Sequence, residues 1–223
     1  YLTDVQALTK VIEDINKNKL ELVASKKSLS LQQENLSVQV AKRTLSLDKM
    51  QLTMSDDKKR LRGLQKQRGQ LEQLLNAVQE AVADLILPSP SQSFVSRKGK
   101  LPWPLNGRIA HRFGSARNGP IKWQGWLINA NSGTEVKSVH QGRVVFSNYL
   151  RGFGLLLIIE HGNGYMTLYG HNQELLKDTG DSVQTNEVVA RSGNTGGLDK
   201  SALYFEIRSQ GKPANPKKWM AKS

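Results

Sequence analysis

Four histidines, His111, His140, His161 and His171, are the side chains of this 223-residue chain best suited to hold a metal or shuttle a proton. A zinc hydrolase needs at least three nitrogen or oxygen ligands converging on one ion, with a position left open for water. No His-x-His, His-x-x-His or His-x-x-x-Asp pair occurs. His161 stands before Gly162 and His140 before Gln141-Gly142, the setting of turn and packing residues. His111 lies beside Arg112-Phe113-Gly114, and His171 follows Tyr169-Gly170. There is no cysteine, hence no thiolate site and no disulfide framework. A nucleophile elbow and a phosphate loop are also missing.

The stretch 201–208 reads Ser-Ala-Leu-Tyr-Phe-Glu-Ile-Arg, a short aromatic strand bounded by Gly196-Gly197 and Gly211. Alternation sends Leu203, Phe205 and Ile207 to a core face. It sends Ala202, Tyr204, Glu206 and Arg208 to the other face, toward solvent or a groove. Around this strand, 17 of the 19 glycines lie after residue 98, separating short apolar runs such as 155–159 and 165–169. That pattern predicts an all-β domain over 101–223.

Residues 1–86 follow a different rule. Apolar residues recur at seven-residue steps: Leu8, Ile15, Leu22, Leu29, Leu36, Met50, Leu64, Leu71, Val78 and Leu85. A second set in the same phase includes Val5, Ile12, Val40, Leu47, Met54, Leu61, Leu75 and Val82. This sustained heptad predicts a coiled-coil helix, on the order of 130 Å long if straight. Lys19, Lys26, Gln33, Arg43, Asp57 and Arg68 weaken the seam. Residues 53–57 resemble a capping region at which the helix would divide in two. Such a helix needs a second one, from another copy or from a segment outside this sequence. Pro88 and Pro90 end the pattern, and 87–100 reads as a linker or as a segment that covers the groove when it is idle. The expected fold class is therefore α + β in separate domains: 1–86 helical, 101–223 all-β.

The net charge of +13 is uneven, with +3 on 1–86 and +10 on 97–223. A basic compact domain favours anionic partners. The aromatic-basic motifs of nucleic-acid modules are absent, so no nucleic-acid partner is expected.

Residues 101–220 resemble the LytM-type domain of the lysostaphin-like zinc endopeptidases. The shared residues include Trp103-Pro104, Arg112-Phe113-Gly114, Gly152-x-Gly154, Glu160-His161-Gly162, Leu168-Tyr169-x-His171, Gly193-x-Thr195-Gly196, Phe205-Glu206-Ile207-Arg208 and Trp219. The family's His-x-Gly-x-Asp motif reads Trp123-x-Gly125-x-Leu127 here, and its His-x-His motif reads Ala202-x-Tyr204. The resemblance thus implies that all three zinc-ligand positions are replaced, by Trp123, Leu127 and Tyr204. One catalytic histidine is replaced by Ala202, while His171 is retained. No cofactor, no metal, no catalytic residue and no peptidase activity are expected.

A coiled coil joined to a metal-less LytM domain resembles the EnvC-type murein hydrolase activators of Gram-negative bacteria. That resemblance implies a periplasmic protein whose groove binds and activates N-acetylmuramoyl-L-alanine amidases for septal peptidoglycan cleavage during cell division. Its coil would dock on the FtsEX division complex at the inner membrane, with peptidoglycan as a further partner. Family members carry a signal peptide and more N-terminal coil, so the chain reads as a fragment. A groove lined with aromatics and arginines suits a peptide or helix. Trp123, Trp126, Phe153, Tyr169 and Tyr204 are expected to supply anchors, with His171 beside them. Arg112, Arg151 and above all Arg208 would meet partner carboxylates. On this reading Arg208→Glu abolishes partner binding and leaves the thermal melt nearly unchanged. Two alternatives are a zinc-dependent peptidoglycan endopeptidase with unusual ligands and a periplasmic adaptor of an export complex. Adaptors, however, insert their coil between halves of a β domain.

Overall fold

The computed structural model describes residues 2–83, 93–118 and 120–221, without the side chains of 3–7, 82–83 and 118. The heptad region forms one helix, α1 (Leu2–Ala83). It runs unbroken through 53–57. Thr53 Oγ1 does not cap a helix start; it donates to the Lys49 carbonyl one turn back, at 2.9 Å, a back-bond that a helix interior accommodates. The chain divides into two compact units, Tyr1–Lys59 and Arg60–Ser223, so the division falls inside α1. In the first unit the seam residues Leu8, Ile15, Leu22, Leu29 and Leu36 are exposed. In the second unit the same stripe reaches Leu71, Leu75 and Val78, which are buried.

The second unit is built on antiparallel strands: β1 (Ile109–His111), β2 (Ala116–Asn118), β3 (Ile121–Lys122), β4 (Trp126–Asn129), β5 (Glu135–Lys137), β6 (Gly142–Leu150), β7 (Gly154–Glu160), β8 (Tyr165–Leu175), β9 (Ser182–Val183), β10 (Val188–Ser192), β11 (Ala202–Ser209) and β12 (Lys212–Ala214). The main sheet runs β1-β4-β11-β8-β7-β6-β9. β10 bridges β8 and β5, β12 extends β11, and β2 and β3 form a separate hairpin.

Two cores flank the main sheet, and β11 contributes to both. Leu203, Phe205 and Ile207 enter a core with Trp126, Ile128, Val136, Leu157, Tyr169 and Trp219. Ala202 and Tyr204 enter another with Trp123, Leu127, Phe153, Leu156, Ile158 and Leu168. The second core is closed by Leu71, Leu75 and Val78 of α1. Alternation in β11 is thus as its sequence predicts, yet both faces are buried because a helix lies on one of them.

Within 87–100, residues 94–97 form a 3-10 turn. Phe94 enters the first core, across the sheet from α1. Residues 87–92 lie outside the described residues.

Candidate partner-binding groove

The floor of the groove is the Tyr204 face of β11. Tyr204 is buried, and its hydroxyl donates to Glu206 Oε2 at 2.6 Å. Arg208 Nη1 donates to Glu206 Oε1 at 2.9 Å, and Arg208 Nη2 donates to the Gly211 carbonyl at 2.6 Å. Nη2 also reaches Glu72 Oε2 on α1 at 2.7 Å. Arg208 is therefore only 2% exposed and is already paired by its own helix. Burial raises the Glu206 carboxyl to about 7, against the opposing pull of Arg208 and the Tyr204 hydrogen bond. Burial, and then the neighbouring Glu206 charge, push the Tyr204 phenol well above its ordinary range.

Aromatic side chains form the walls. Phe153 meets Tyr204 edge-on with centroids 5.4 Å apart. Trp123 tilts against Tyr204 at 6.2 Å and stacks on His111 at 5.0 Å. The Arg117 guanidinium lies 4.3 Å from the Trp123 ring centroid, within the range of a cation–π contact. His171 meets Tyr204 edge-on at 6.3 Å. Its Nδ1 sits 2.7 Å from the Thr195 carbonyl, which can only accept, so Nδ1 carries the proton of the neutral ring. Burial, reinforced by the charge of Arg117, holds His171 down at about 4 even though the Thr195 carbonyl favours the charged form.

The nine residues expected to line a partner surface separate into three groups. Trp123, Phe153, His171, Tyr204 and Arg208 converge beneath α1. Arg112 and Arg151 are exposed, outside this buried set. Trp126 is packed in the first core, and Tyr169 also stands on that opposite face. Tyr169 pairs with Phe205 across the β8–β11 ladder, and its hydroxyl accepts from the Val139 N–H at 3.1 Å. Simple alternation would put Tyr169 and His171 on one side. A bulge separates them: Tyr169 pairs with Leu157 and Asn172 with Leu155, so β8 spends an extra residue there. His171 takes up that residue at φ +64° and turns to the groove side.

The segment 64–78 of α1 occupies the groove. Leu71 is fully buried and Leu75 is 3% exposed, each burial worth about 1.5–3 kcal/mol in apolar transfer. Gly152 lets the helix approach, since a Cβ there would lie 2.5 Å from the Gln67 side chain. A cleft remains beside the helix, lined by Leu64, Gln67, Arg68, Arg117, Lys122, Gln124, Phe153 and Tyr204.

Residues 121–216 match the sequence profile of Peptidase family M23. The β domain is an M23 domain. Over 125 residues the chain is 42% identical to the murein hydrolase activator EnvC of Escherichia coli K12, covering 56% of this chain and 30% of that protein. It is 34% identical over 119 residues to the murein hydrolase activator NlpD of the same organism, covering 53% of this chain and 30% of the relative. Among solved structures, a zinc-containing peptidase from Vibrio cholerae aligns with a TM-score of 0.51 and 25% identity, over 55% of this chain and 40% of that one. The chain thus spans about a third of the length of the activators it matches.

Zinc does not fit the donor set at the M23 ligand positions of this chain. Trp123 and Leu127 offer no lone pair to an ion, and both are packed in the core. Tyr204 directs its hydroxyl to Glu206, and His171 is the one imidazole beside it. Among the described residues, no group of three or more His, Cys, Asp or Glu side chains is arranged to hold a metal ion.

Sequence reasoning missed three groove residues. Arg117 lies in no shared motif, and only the β2–β3 hairpin brings it over Trp123. Alternation places Glu206 on the correct face, but its type and spacing assign it no role. Glu72 flanks the heptad stripe, and nothing in its spacing pairs it with Arg208, 136 residues away.

Proposed function

We propose that this chain is a non-catalytic activator of N-acetylmuramoyl-L-alanine amidases in the Gram-negative envelope, and that its groove is held shut by α1. The observation that carries this reading is the content of the former peptidase groove. Its ligand positions are apolar or aromatic, and an amphipathic helix fills it with Leu71, Leu75 and Val78 while Glu72 engages Arg208. A surface that receives one such helix has the chemistry to receive another. The murein hydrolase activators that align with the M23 domain support the functional class. The partner is then an amidase segment presenting an apolar stripe flanked by a carboxylate. The helical region is the link to an FtsEX-like division complex in the periplasm, peripheral to the inner membrane, and a pull on that region would draw 64–78 off the sheet.

Occlusion sets the cost of activation. A partner that binds only the open state has its apparent affinity reduced by the fraction of molecules that are open. The test uses the chain, an amidase and dye-labelled sacculi. The double variant Leu71→Asp, Leu75→Asp frees the groove and is expected to raise dye release well above that given by the parent chain. If neither protein exceeds amidase alone, the activator reading fails. If both stimulate equally, the occlusion reading fails.

A further inference from the structure

A basic patch lies across the sheet from the groove, and the groove's role does not use it. Two segments build it. Residues 93–100 contain Arg97, Lys98 and Lys100, and residues 210–221 contain Lys212, Lys217 and Lys218; neither segment contains an acid. Backbone pairing ties them together. The Leu101 N–H donates to the Trp219 carbonyl at 3.1 Å, and the Ala221 N–H donates to the Leu101 carbonyl at 2.9 Å. Trp103 Nε1–H donates to the Ala221 carbonyl at 3.1 Å. Below them Phe94 is 1% exposed and stacks on His140, His161 and Tyr165, with Trp219 tilted against it. The cations therefore stand on a fixed base.

These charges are unanswered. Lys98, Lys100, Lys212, Lys217 and Lys218 are exposed, and Arg97 is partly so. None forms an ion pair among the described residues, whereas Lys177, Arg191 and Arg208 in the same unit are paired with glutamates. Lys98 Nζ lies 5.3 Å from the Trp219 ring centroid. Beside them Val95 is held outward, 46% exposed, because Phe94 next to it turns into the core.

We propose that this patch docks the M23 domain on an anionic phospholipid surface, with the lysines at the headgroup phosphates and Val95 at the boundary with the acyl chains. Lysine supplies mobile point charges suited to a fluid array of phosphates, whereas recognition of one fixed carboxylate favours arginine's planar fork. An aliphatic residue held out among cations gains nothing from a hydrated polyanion, but it is stabilised in the interfacial layer of a bilayer. This placement leaves the groove on the far face accessible, and it stands or falls separately from the activator reading.

The test is co-sedimentation of the full chain with phosphatidylcholine vesicles, with and without a one-third share of phosphatidylglycerol. Binding is expected only to the anionic vesicles, and it should weaken as salt is raised. The triple variant Lys98→Gln, Lys217→Gln, Lys218→Gln is expected to lose binding at least about tenfold. Val95→Asp is expected to lose it severalfold, and both variants should melt as the parent does, because the altered side chains are exposed. Equal binding to neutral vesicles, or unchanged binding by the triple variant, would overturn the proposal. Unchanged vesicle binding by Val95→Asp, with soluble polyglutamate held as tightly as vesicles, would reassign the patch to polyanions in general and overturn it as well.

Discussion

Arg208 carries one positive charge and faces two carboxylates, and that arithmetic changes how its substitution reads. A free groove arginine could become glutamate with little effect on folding. Here Arg208→Glu would set a third carboxylate against Glu206 and Glu72 in a buried site, at a cost of about 3–5 kcal/mol. A lowered melting temperature, not an unchanged one, is the expected result. Glu72→Gln is the cleaner probe, because Glu72 is only partly buried and Arg208 keeps Glu206. It is expected to leave the melt of the sheet within a few degrees of the parent while raising amidase stimulation; stimulation equal to the parent's would remove Glu72 as a latch. Protons provide a second readout. Glu206 is raised to about 7, so its contribution to stability is full below its unfolded value and is lost as pH rises toward 7. His161 and His171 are held down by burial at about 3 and about 4. Their contribution is present above the unfolded histidine value and is lost as pH falls. Between pH 4.5 and 6.5 the two histidines and the glutamate therefore oppose one another. Glu206→Gln removes the opposing proton and should steepen the rise of stability with pH by about 1.4 kcal/mol per unit. Parallel slopes in urea titrations of parent and variant would contradict the raised carboxyl.

At the scale of elements, the sequence disclosed faces more readily than partners. Alternation in β11 divided Leu203, Phe205 and Ile207 from Ala202, Tyr204 and Arg208, because a two-residue period is a local property of the chain. The heptad stripe located Leu71, Leu75 and Val78 on one side of α1 for the same reason. What a stripe packs against is not local. Periodicity alone reads as a coil seam, and only the fold brings 64–78 onto the sheet of its own unit. The Tyr169 placement went astray at a bulge, where one extra residue breaks the two-residue period. Arg117 was invisible because its role comes from a hairpin, not from a motif. The docked segment gives its own prediction. Leu75→Ala removes a side chain that is 3% exposed and should weaken helix docking by about 2–4 kcal/mol. Amides of 64–78 should then exchange faster with solvent water, with those of Tyr169 and Phe205 in the other core unchanged. Uniform acceleration across both cores would mean that the helix and sheet open as one body.

At the scale of the whole molecule, the first unit poses a requirement that the second has already met. Its seam residues Leu8, Ile15, Leu22, Leu29 and Leu36 are 57–70% exposed along a helix with no strands of its own. Helices in water owe most of their stability to a packed apolar face. In the second unit that face is covered by the sheet. In the first it requires a second helix, and in a solution of this chain alone the available one belongs to another copy. Two lysines and a glutamine, Lys19, Lys26 and Gln33, weaken such a seam without abolishing it. Self-association at micromolar concentration is therefore expected in sedimentation equilibrium. The double variant Leu22→Glu, Leu29→Glu should return the chain to a monomer and lower its helical ellipticity, while the β domain, which does not contain these residues, keeps its melt. A parent chain that stays monomeric at all concentrations with full helicity through 8–50 would show that the stripe is stable uncovered.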